Sequence, residues 1–355
     1  MDITQVLAQA VSQRASDIFI VAGLPLTLKI DGKQQRRTED GKLSPAKTAD
    51  IIRQVYQLAR RNMARIEPED ADDDFSFSMV GVGRFRVNVF HQRGSLAAVV
   101  RVIQFGIPDY RSMSIPEEVM SVKRFHQGVV LVTGQTGSGK STTLACIVDA
   151  INQSRTGHIL TLEDPIEYVH HHEQCIVSQR EVYSDCTSYL SALRSAMRES
   201  PDVILLGEMR DHETIDVAMK AAETGHLLLS SLHTTGAANT VDRIIDTFPA
   251  NQQAQIRLQL SMVLKAVISQ QLVPDVDGRT IPVFEIMFVN TAIRNLIRES
   301  KTYQIDAAIQ AGSDQGMRTM DGSLLTLYRQ KRITKETALT YCLNYDATSR
   351  KLKLL

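Results

Sequence analysis

The chain has 355 residues and carries 40 basic and 40 acidic side chains, so its formal net charge is zero. Proteins that hold nucleic acid along a broad surface are usually basic, so we expect no direct nucleic-acid partner. The four cysteines form no CxxC pair, which argues against a zinc site and fits a reducing, cytoplasmic compartment. The first residues lack the apolar core of a signal peptide. No run approaches about 18 consecutive apolar residues, so we expect no transmembrane helix.

The N-terminal third combines helices with short strands. Apolar residues at helical spacing predict a helix over residues 3–14, and "SPAKTADIIRQVYQLARRNMARI" predicts a second one. The predicted strands are "DIFIVAG", "LTLKIDG", "DFSFSMV", "GRFRVNVFHQ" and "SLAAVVRVI". The last three alternate apolar and polar residues, as antiparallel strands with one buried face do. Residues 1–104 are therefore predicted to form a small α+β domain, followed by an interdomain linker over residues 105–119, which contain two prolines.

The pattern changes at about residue 120. Four continuous apolar runs, "GVVLVTG", "HILTL", "DVILLG" and "HLLLSSLH", alternate with helical segments. Strands of this kind are buried on both faces, as in a parallel sheet covered by helices. Residues 120–289 are therefore predicted to form an α/β domain. Within it, "NQQAQIRLQLSMVLKAVISQQL" is predicted to be one long helix, and residues 290–355 form a mostly helical C-terminal region.

The stretch "GQTGSGKST" at residues 134–142 matches the phosphate-loop pattern G-x-x-x-x-G-K-[ST], between a predicted strand and a predicted helix. Backbone N–H groups of such a loop surround phosphate oxygens, and the start of the helix adds its positive end. Lys140 is predicted to reach the β- and γ-phosphates and Ser141 to bind Mg²⁺. The predicted nucleotide-binding residues are Gly134, Gln135, Thr136, Gly137, Ser138, Gly139, Lys140, Ser141 and Thr142.

Two acids follow strands of the same predicted sheet. Glu163 ends "HILTLE" and Glu208 follows "VILLG". Because the carboxyl ends of parallel strands meet at the edge where ligands bind, both carboxylates are candidates to position Mg²⁺ or the attacking water. The residues alone do not separate the two roles, since either carboxylate could reach a water.

At this point the chain resembles the type IV pilus retraction ATPases of the secretion ATPase superfamily. The motifs that carry the resemblance are "GQTGSGKST", "ILTLEDPIEYVH", "VILLGEMRD", "TGHLLLSSLHT" and "AIRNLIR". The resemblance implies a RecA-like ATPase core, a PAS-like N-terminal domain and a homohexameric ring. It also implies that ATP hydrolysis moves the domains and that this motion is passed to an inner-membrane platform protein, which withdraws pilin subunits from the fibre.

The resemblance also implies roles for the acids and for two histidines. Glu208 would contact Mg²⁺ through water, and Glu163 would be the better candidate for the general base, although the two roles stay open. His226 and His233 would sense the γ-phosphate. On the residues alone, a histidine that flanks a buried strand is more often structural than functional.

Three arginines of the N-terminal domain are further candidates. Arg84 and Arg86 alternate with Phe85 and Val87, so they share one face of a strand, and Arg101 lies on the next strand. On composition alone they are solvated surface residues. The resemblance implies that they complete the ATP site, either in the same subunit or across a subunit interface.

The C-terminal motif is implied to be an output element, needed for retraction and not for hydrolysis. It comprises Ala292, Ile293, Arg294, Asn295, Leu296, Ile297 and Arg298. The implied location is the cytoplasmic face of the inner membrane at the pilus base, where a second pilus ATPase is a further implied partner. Two alternatives stay open: an accessory retraction ATPase, and a related secretion or DNA-transfer ATPase. The intact motif favours the principal motor.

Overall fold

The computed structural model describes residues 2–68, 70–103, 106–209 and 211–354. The chain divides into two compact units, residues 1–106 with 167–169, and residues 107–166 with 170–355. The predicted domain end at residue 104 and the first predicted linker residue, 105, lie outside the described ranges. Residues 107–119 of the predicted linker belong to the second unit, where Ile115 and Val119 are buried in the hydrophobic core. The linker prediction is corrected there, because these apolar residues pack against the core.

The first unit packs two helices against one antiparallel sheet, as the predicted α+β fold requires. Asp2 caps the first helix by accepting a hydrogen bond from the backbone N–H of Thr4. The strand order in the sheet is β3-β2-β1-β6-β5-β4. The elements are α1 (Ile3–Ser12), β1 (Asp17–Ile20), β2 (Thr27–Ile30), β3 (Lys33–Arg36), α2 (Pro45–Leu58), β4 (Asp73–Met79), β5 (Gly83–Gln92) and β6 (Ser95–Ile103).

All five strands predicted for this unit are present, and their alternation sets the two faces of the sheet. Phe85, Val87 and Val89 are fully buried on β5, whereas Arg84 and Arg86, on the other face, are only partly buried. Strand β3 was not predicted, because its sequence, "KQQR", contains no apolar residue and all four positions are exposed.

The second unit combines helices and strands up to β13 and continues with helices after it. Its elements are α3 (Glu117–Met120), β7 (Gly128–Thr133), α4 (Lys140–Ser154), β8 (Gly157–Glu163), β9 (Cys175–Glu181), α5 (Tyr189–Ala196), β10 (Val203–Leu206), α6 (His212–Glu223), β11 (Leu227–Leu232), α7 (Ala237–Asp246), α8 (Ala250–Val263), β12 (Leu264–Pro274), β13 (Thr280–Phe288), α9 (Thr291–Arg298), α10 (Ile305–Ala311), α11 (Met320–Arg329), α12 (Lys335–Tyr341) and α13 (Tyr345–Lys353). Within the described ranges, none of the helices is both long enough and apolar enough to cross a bilayer.

The sheet of this unit has the order β13-β12-β7-β11-β10-β8-β9. Every neighbouring pair from β12 to β9 is parallel, and β13 is antiparallel to β12. The four apolar runs form β7, β8, β10 and β11, so the predicted α/β fold is confirmed. All residues of β7, β10 and β11 are buried, because helices cover both faces of the sheet.

The long helix predicted over residues 251–272 is wrong in its second half. Helix α8 ends at Val263, and the chain continues directly into β12. Ala266, Val267 and Ile268 are fully buried there, between β7 on one side and β13 on the other. Pairing on both sides favours a strand at this place, and no glycine or proline marks the change in the sequence.

Candidate active site

The phosphate loop connects β7 to α4, as its motif requires. Three of its glycines have positive φ angles: 147° at Gly134, 79° at Gly137 and 87° at Gly139. Side chains are disfavoured in this region of backbone space, so these turns require glycine. Space is limiting as well, since a Cβ on Gly134 would lie 2.6 Å from Ser138 Oγ and would overlap the backbone oxygen of Gln270.

Lys140 closes the loop on itself. Its Nζ donates hydrogen bonds to the backbone oxygens of Gly134 and Gln135, each at 2.9 Å. The residue is only 8% exposed, so its ammonium group is held inside the loop. A buried cation in this position attracts phosphate oxygens strongly, because little water screens its charge.

Two serine hydroxyl groups of the loop are suited to contact the phosphates or Mg²⁺. Ser138 Oγ is buried and has no hydrogen-bond partner within the described part of the chain. A buried hydroxyl group usually has a hydrogen-bond partner. Ser138 Oγ is therefore suited to donate a hydrogen bond to a phosphate oxygen. Ser141 lies exposed in the first turn of α4. Hydroxyl and carboxylate oxygens are the ligands that Mg²⁺ prefers, so Ser141 fits its predicted role chemically.

Glu208 and His233 meet beside this loop. Glu208 follows β10 and His233 follows β11, and these strands are neighbours in the sheet. His233 Nε2 lies 3.3 Å from Glu208 Oε2, and His233 Nδ1 lies 3.4 Å from Thr136 Oγ1 in the loop. His233 thus connects Glu208, which follows β10, with the phosphate loop, which follows β7. A cavity of about 650 Å³ opens beside them and is also lined by Arg243.

Glu163 ends β8, the neighbour of β10 on its other side. Its Oε1 accepts hydrogen bonds from Thr161 Oγ1 at 2.6 Å and from Gln179 Nε2 at 3.2 Å. Glu163 and Glu208 therefore lie at the same edge of the sheet, on adjacent strand ends. The assignment of one as the general base and the other as the Mg²⁺-side acid stays a prediction.

His226 lies at the opposite edge of the sheet. It precedes β11, and its backbone oxygen accepts a hydrogen bond from Gly128 at the start of β7. The six residues of β11 separate it from His233, which is roughly 20 Å at about 3.3 Å per residue. His226 therefore lies far from this chain's own phosphate loop, and its role as a γ-phosphate sensor stays a prediction. Its Nδ1 instead lies 2.9 Å from the backbone oxygen of Ala221.

The three N-terminal arginines form contacts within the first unit. Arg86 pairs with Asp74 at 2.6 Å, and Arg101 Nε donates to Asp17 Oδ1 at 3.0 Å. Arg84 Nη1 donates to Ser78 Oγ at 3.1 Å. Arg86 and Arg101 lie directly opposite each other on β5 and β6. Their role in an ATP site stays a prediction.

The output motif forms α9, which Asn290 caps by accepting from the backbone N–H of Ile293. Ile293 and Ile297 are fully buried, and Arg294 Nε donates to the backbone oxygen of Ser261 at 3.2 Å. Ala292 and Arg298 are exposed. The helix therefore has a packing face that includes Arg294 and a solvent face that a partner can reach.

Several supporting residues of the site were not predicted from the sequence. Gln179 and Thr161 orient Glu163, and Gln270 contacts the phosphate loop. Glu285 accepts hydrogen bonds from the first backbone N–H groups of α7, at 2.7 Å, and of α11, at 3.1 Å. Burial raises the pKa of Glu285, and these two hydrogen bonds oppose the rise. A polar residue inside an apolar strand sequence is the one signal that could have indicated Gln270 and Glu285.

Comparison with known proteins identifies the family. The family model described as type II/IV secretion system protein matches residues 1–302. The chain belongs to this family. The type IV pilus retractation ATPase PilT of Pseudomonas aeruginosa is 45% identical over 338 residues, which is 95% of this chain and 97% of that protein. The type IV pilus ATPase PilU of the same organism is 39% identical over 343 residues, 96% of this chain and 88% of PilU.

A solved structure agrees with the sequence matches. The crystal structure of the pilus retraction motor PilT with bound ADP superposes with a TM-score of 0.88 at 43% identity, and the match covers 99% of each chain. The resemblance to the pilus retraction ATPases is thereby confirmed, and the chain is an ATPase of this family. Family members of this kind use a nucleotide together with a metal ion.

Proposed function

We propose that the chain forms a hexameric, ATP-driven motor that retracts type IV pili. One combination of observations carries this proposal: the complete phosphate loop, the contact of His233 with Glu208 and Thr136, and a 45% identical pilus retractation ATPase that covers 95% of the chain. The loop alone would indicate only ATP binding. A match over nearly the whole chain extends the likeness to the elements that surround the ATP site.

In the proposed site, residues 134–142 and the start of α4 bind the β- and γ-phosphates, and Lys140 neutralises part of their charge. Ser141 would hold Mg²⁺ directly and Glu208 through water, and the ion would offset charge on the β- and γ-phosphate oxygens. Glu163 accepts the proton of the attacking water, with its orientation set by Thr161 and Gln179.

His233 reports the state of the γ-phosphate to the sheet. It contacts both Glu208 and Thr136. A change at the phosphates therefore alters the position of the segment that directly follows β11. A histidine that bridges two nucleotide-binding elements suits this role because either ring nitrogen can donate or accept a hydrogen bond.

Six subunits form the proposed ring, since a head-to-tail interface that closes gives a cyclic oligomer. Arg84, Arg86 and Arg101 bring positive charge to the γ-phosphate, from the same subunit or from a neighbour. An arginine supplied in this way raises the hydrolysis rate by about a thousandfold or more in other ATPases and GTPases. Hydrolysis and the release of phosphate then remove the γ-phosphate from the site and drive a hinge movement.

The motor works in the cytoplasm at the inner membrane, where the solvent face of α9 passes the movement to a platform protein. A second pilus ATPase is a further proposed partner. The accessory alternative is not favoured, because identity to PilT, at 45%, exceeds identity to PilU, at 39%. A DNA-transfer role is not favoured either, since the chain has zero net charge.

A retraction assay tests the proposal. A pilus-bearing strain that lacks its retraction ATPase is complemented with the wild-type chain, with Arg298→Glu and with Arg329→Glu. Arg298 and Arg329 are matched, because each lies exposed in the last turn of its helix. We expect the wild type and Arg329→Glu to restore retraction. We expect Arg298→Glu to hydrolyse ATP normally in vitro and to fail in retraction.

Three outcomes would contradict the proposal or one of its parts. A wild-type chain that hydrolyses ATP as a hexamer but never restores retraction would exclude the pilus motor in that host. A chain that binds ATP without hydrolysing it, with both carboxylates intact, would favour the accessory role. Equal retraction by both arginine variants would remove α9 as the output surface.

A further inference from the structure

Gln270 lies beside the phosphate loop on β12. This strand is the parallel neighbour of β7, and Ser269 is paired with Thr133, the last residue of β7. Gln270 therefore lies one residue beyond the end of β7, level with the start of the loop. It is 3% exposed. A buried amide is costly unless it is hydrogen-bonded, so its partners indicate why it is there.

The residue touches the loop at three separate points. Its Oε1 accepts a hydrogen bond from Thr143 Oγ1 at 2.7 Å, in the first turn of α4. A Cβ on Gly139 would lie 2.8 Å from Gln270 Nε2, so the amide packs directly against this glycine. Its backbone oxygen faces Gly134 so closely that a Cβ there would overlap it. One residue thus contacts the first glycine of the loop, the last glycine, and the helix that follows.

The neighbouring residue extends this contact toward the histidine. Ser269 Oγ accepts a hydrogen bond from the backbone N–H of Gly236 at 3.0 Å. Gly236 follows His233 by three positions. The end of β12 therefore supports both the phosphate loop and the segment that carries His233.

We propose that Gln270 is a positioning residue for the phosphate loop, where it fixes the loop's shape with an uncharged side chain. This inference rests on the proposed function only in that the loop binds the phosphates of ATP. Glutamate has the same shape as glutamine but would place a negative charge under the loop. That charge would repel the phosphates and compete for Lys140, whereas the amide provides the same packing without repulsion.

The test compares Gln270→Glu with Gln271→Glu. Gln271 lies on the opposite face of the same strand, where its Nε2 donates to the backbone oxygen of Tyr341 at 3.4 Å. The two variants carry the same substitution one residue apart. The dissociation constants of fluorescent ADP and of a non-hydrolysable ATP analogue are measured with the full chain at about pH 8 and about pH 6. The lower pH favours the neutral, protonated form of a buried glutamic acid.

We expect Gln270→Glu to weaken nucleotide binding at least about tenfold at the higher pH. Binding should partly recover at the lower pH, because the protonated carboxyl is neutral like the amide it replaces. Gln271→Glu should bind as the wild type does at both pH values. A merely structural role would give a loss that does not depend on pH, so that result would overturn the inference. So would equal effects of the two variants, or no effect of Gln270→Glu.

A second variant keeps the test decisive if Gln270→Glu does not fold. Gln270→Met has nearly the same volume but cannot accept the hydrogen bond from Thr143. We expect it to raise KM for ATP several-fold with kcat little changed; an unchanged KM would contradict the inference. Failure of the proposed function is recognised separately, since a chain that binds nucleotide but does not retract pili leaves these affinities measurable.

Discussion

The two edges of the parallel sheet both carry histidines and acids, but they differ in how these groups are satisfied. At the amino edge, the backbone N–H of His158 donates to Asp202 at 2.8 Å, and its ring nitrogens lie 2.9 Å from Glu199 O and from Ser178 Oγ. At the carboxyl edge, the His233 side chain is 52% exposed, and Ser138 Oγ is buried without a partner in the described ranges. At the amino edge the polar groups are hydrogen-bonded to one another within the fold. At the carboxyl edge they are available to a ligand.

The difference follows from the geometry of parallel strands. Every strand of such a sheet ends at the same edge, where loops lead into helix N-termini, so anions and the residues that handle them collect there. His226 and His233 belong to one short motif, yet they precede and follow the same strand. Within one chain, whether a residue lies before or after a buried strand therefore decides whether it lies near the phosphate loop.

Glu208→Gln gives the largest expected change at the carboxyl edge. The neutral amide keeps the shape of the side chain and removes the charge beside His233 that is proposed to act on Mg²⁺. We expect kcat to fall about a thousandfold with ATP binding retained, measured by phosphate release and by nucleotide titration. Asp211→Asn is the control, because Asp211 caps α6 through the backbone N–H of Thr214 and asparagine caps equally well. Unchanged turnover would remove Glu208 from the site.

Glu163→Gln separates the roles of the two acids. If Glu163 is the general base, kcat falls about a hundredfold or more while the Mg²⁺ concentration for half-maximal activity stays constant. Glu208→Gln should raise that concentration, because Glu208 is the acid proposed to act on the metal side. Magnesium titrations of both variants make the comparison. A raised Mg²⁺ requirement in Glu163→Gln alone would exchange the two assignments.

Arg101→Ala tests whether ATP hydrolysis also needs a positive charge from the N-terminal unit. We expect a loss in kcat of about a hundredfold with little change in nucleotide affinity. The Arg101 side chain is 67% accessible but its partner Asp17 is buried, so the melting temperature of the variant is measured alongside the rate. Lys29→Ala is the matched control, because Lys29 Nζ lies 3.9 Å from the same Asp17. Equal rates for both variants and the wild type would return Arg101 to a surface role.

His233→Ala should reduce kcat about tenfold. The substitution removes the contact between Glu208 and the phosphate loop but leaves the carboxylate and Lys140 in place. The rate is measured at saturating ATP, so that a change in affinity does not enter it. A rate equal to that of the wild type would mean that His233 does not take part in hydrolysis.

His226→Ala has the smallest expected effect on catalysis. It should lower the stability of the fold and leave the rate of hydrolysis unchanged. It removes the hydrogen bond to Ala221, which stabilises the folded chain by about 1 kcal/mol, and the melting temperature should fall by about 2–4 °C. The rate per folded hexamer should not change. A loss of activity as large as that of His233→Ala would contradict the contrast between the two edges.

The sequence predicted those features that a short motif encodes locally. The glycines and Lys140 define their own loop, and continuous apolar runs identify β7, β8, β10 and β11. The start of β12 was not predictable, because "SMVLKAVISQQL" contains no residue that marks the end of a helix. Gln270 was missed for a related reason: its contacts with Gly139 and Thr143 bridge more than 120 residues, and only the strand order brings them together.

The most direct test of the shared-ring mechanism is the ATPase rate per subunit as a function of protein concentration, with the mass of the assembly measured in parallel. We predict that the rate rises as a six-subunit species appears, and that Arg101→Ala assembles but stays slow. Full turnover by a monomer would contradict the mechanism, because every essential group would then lie within one chain.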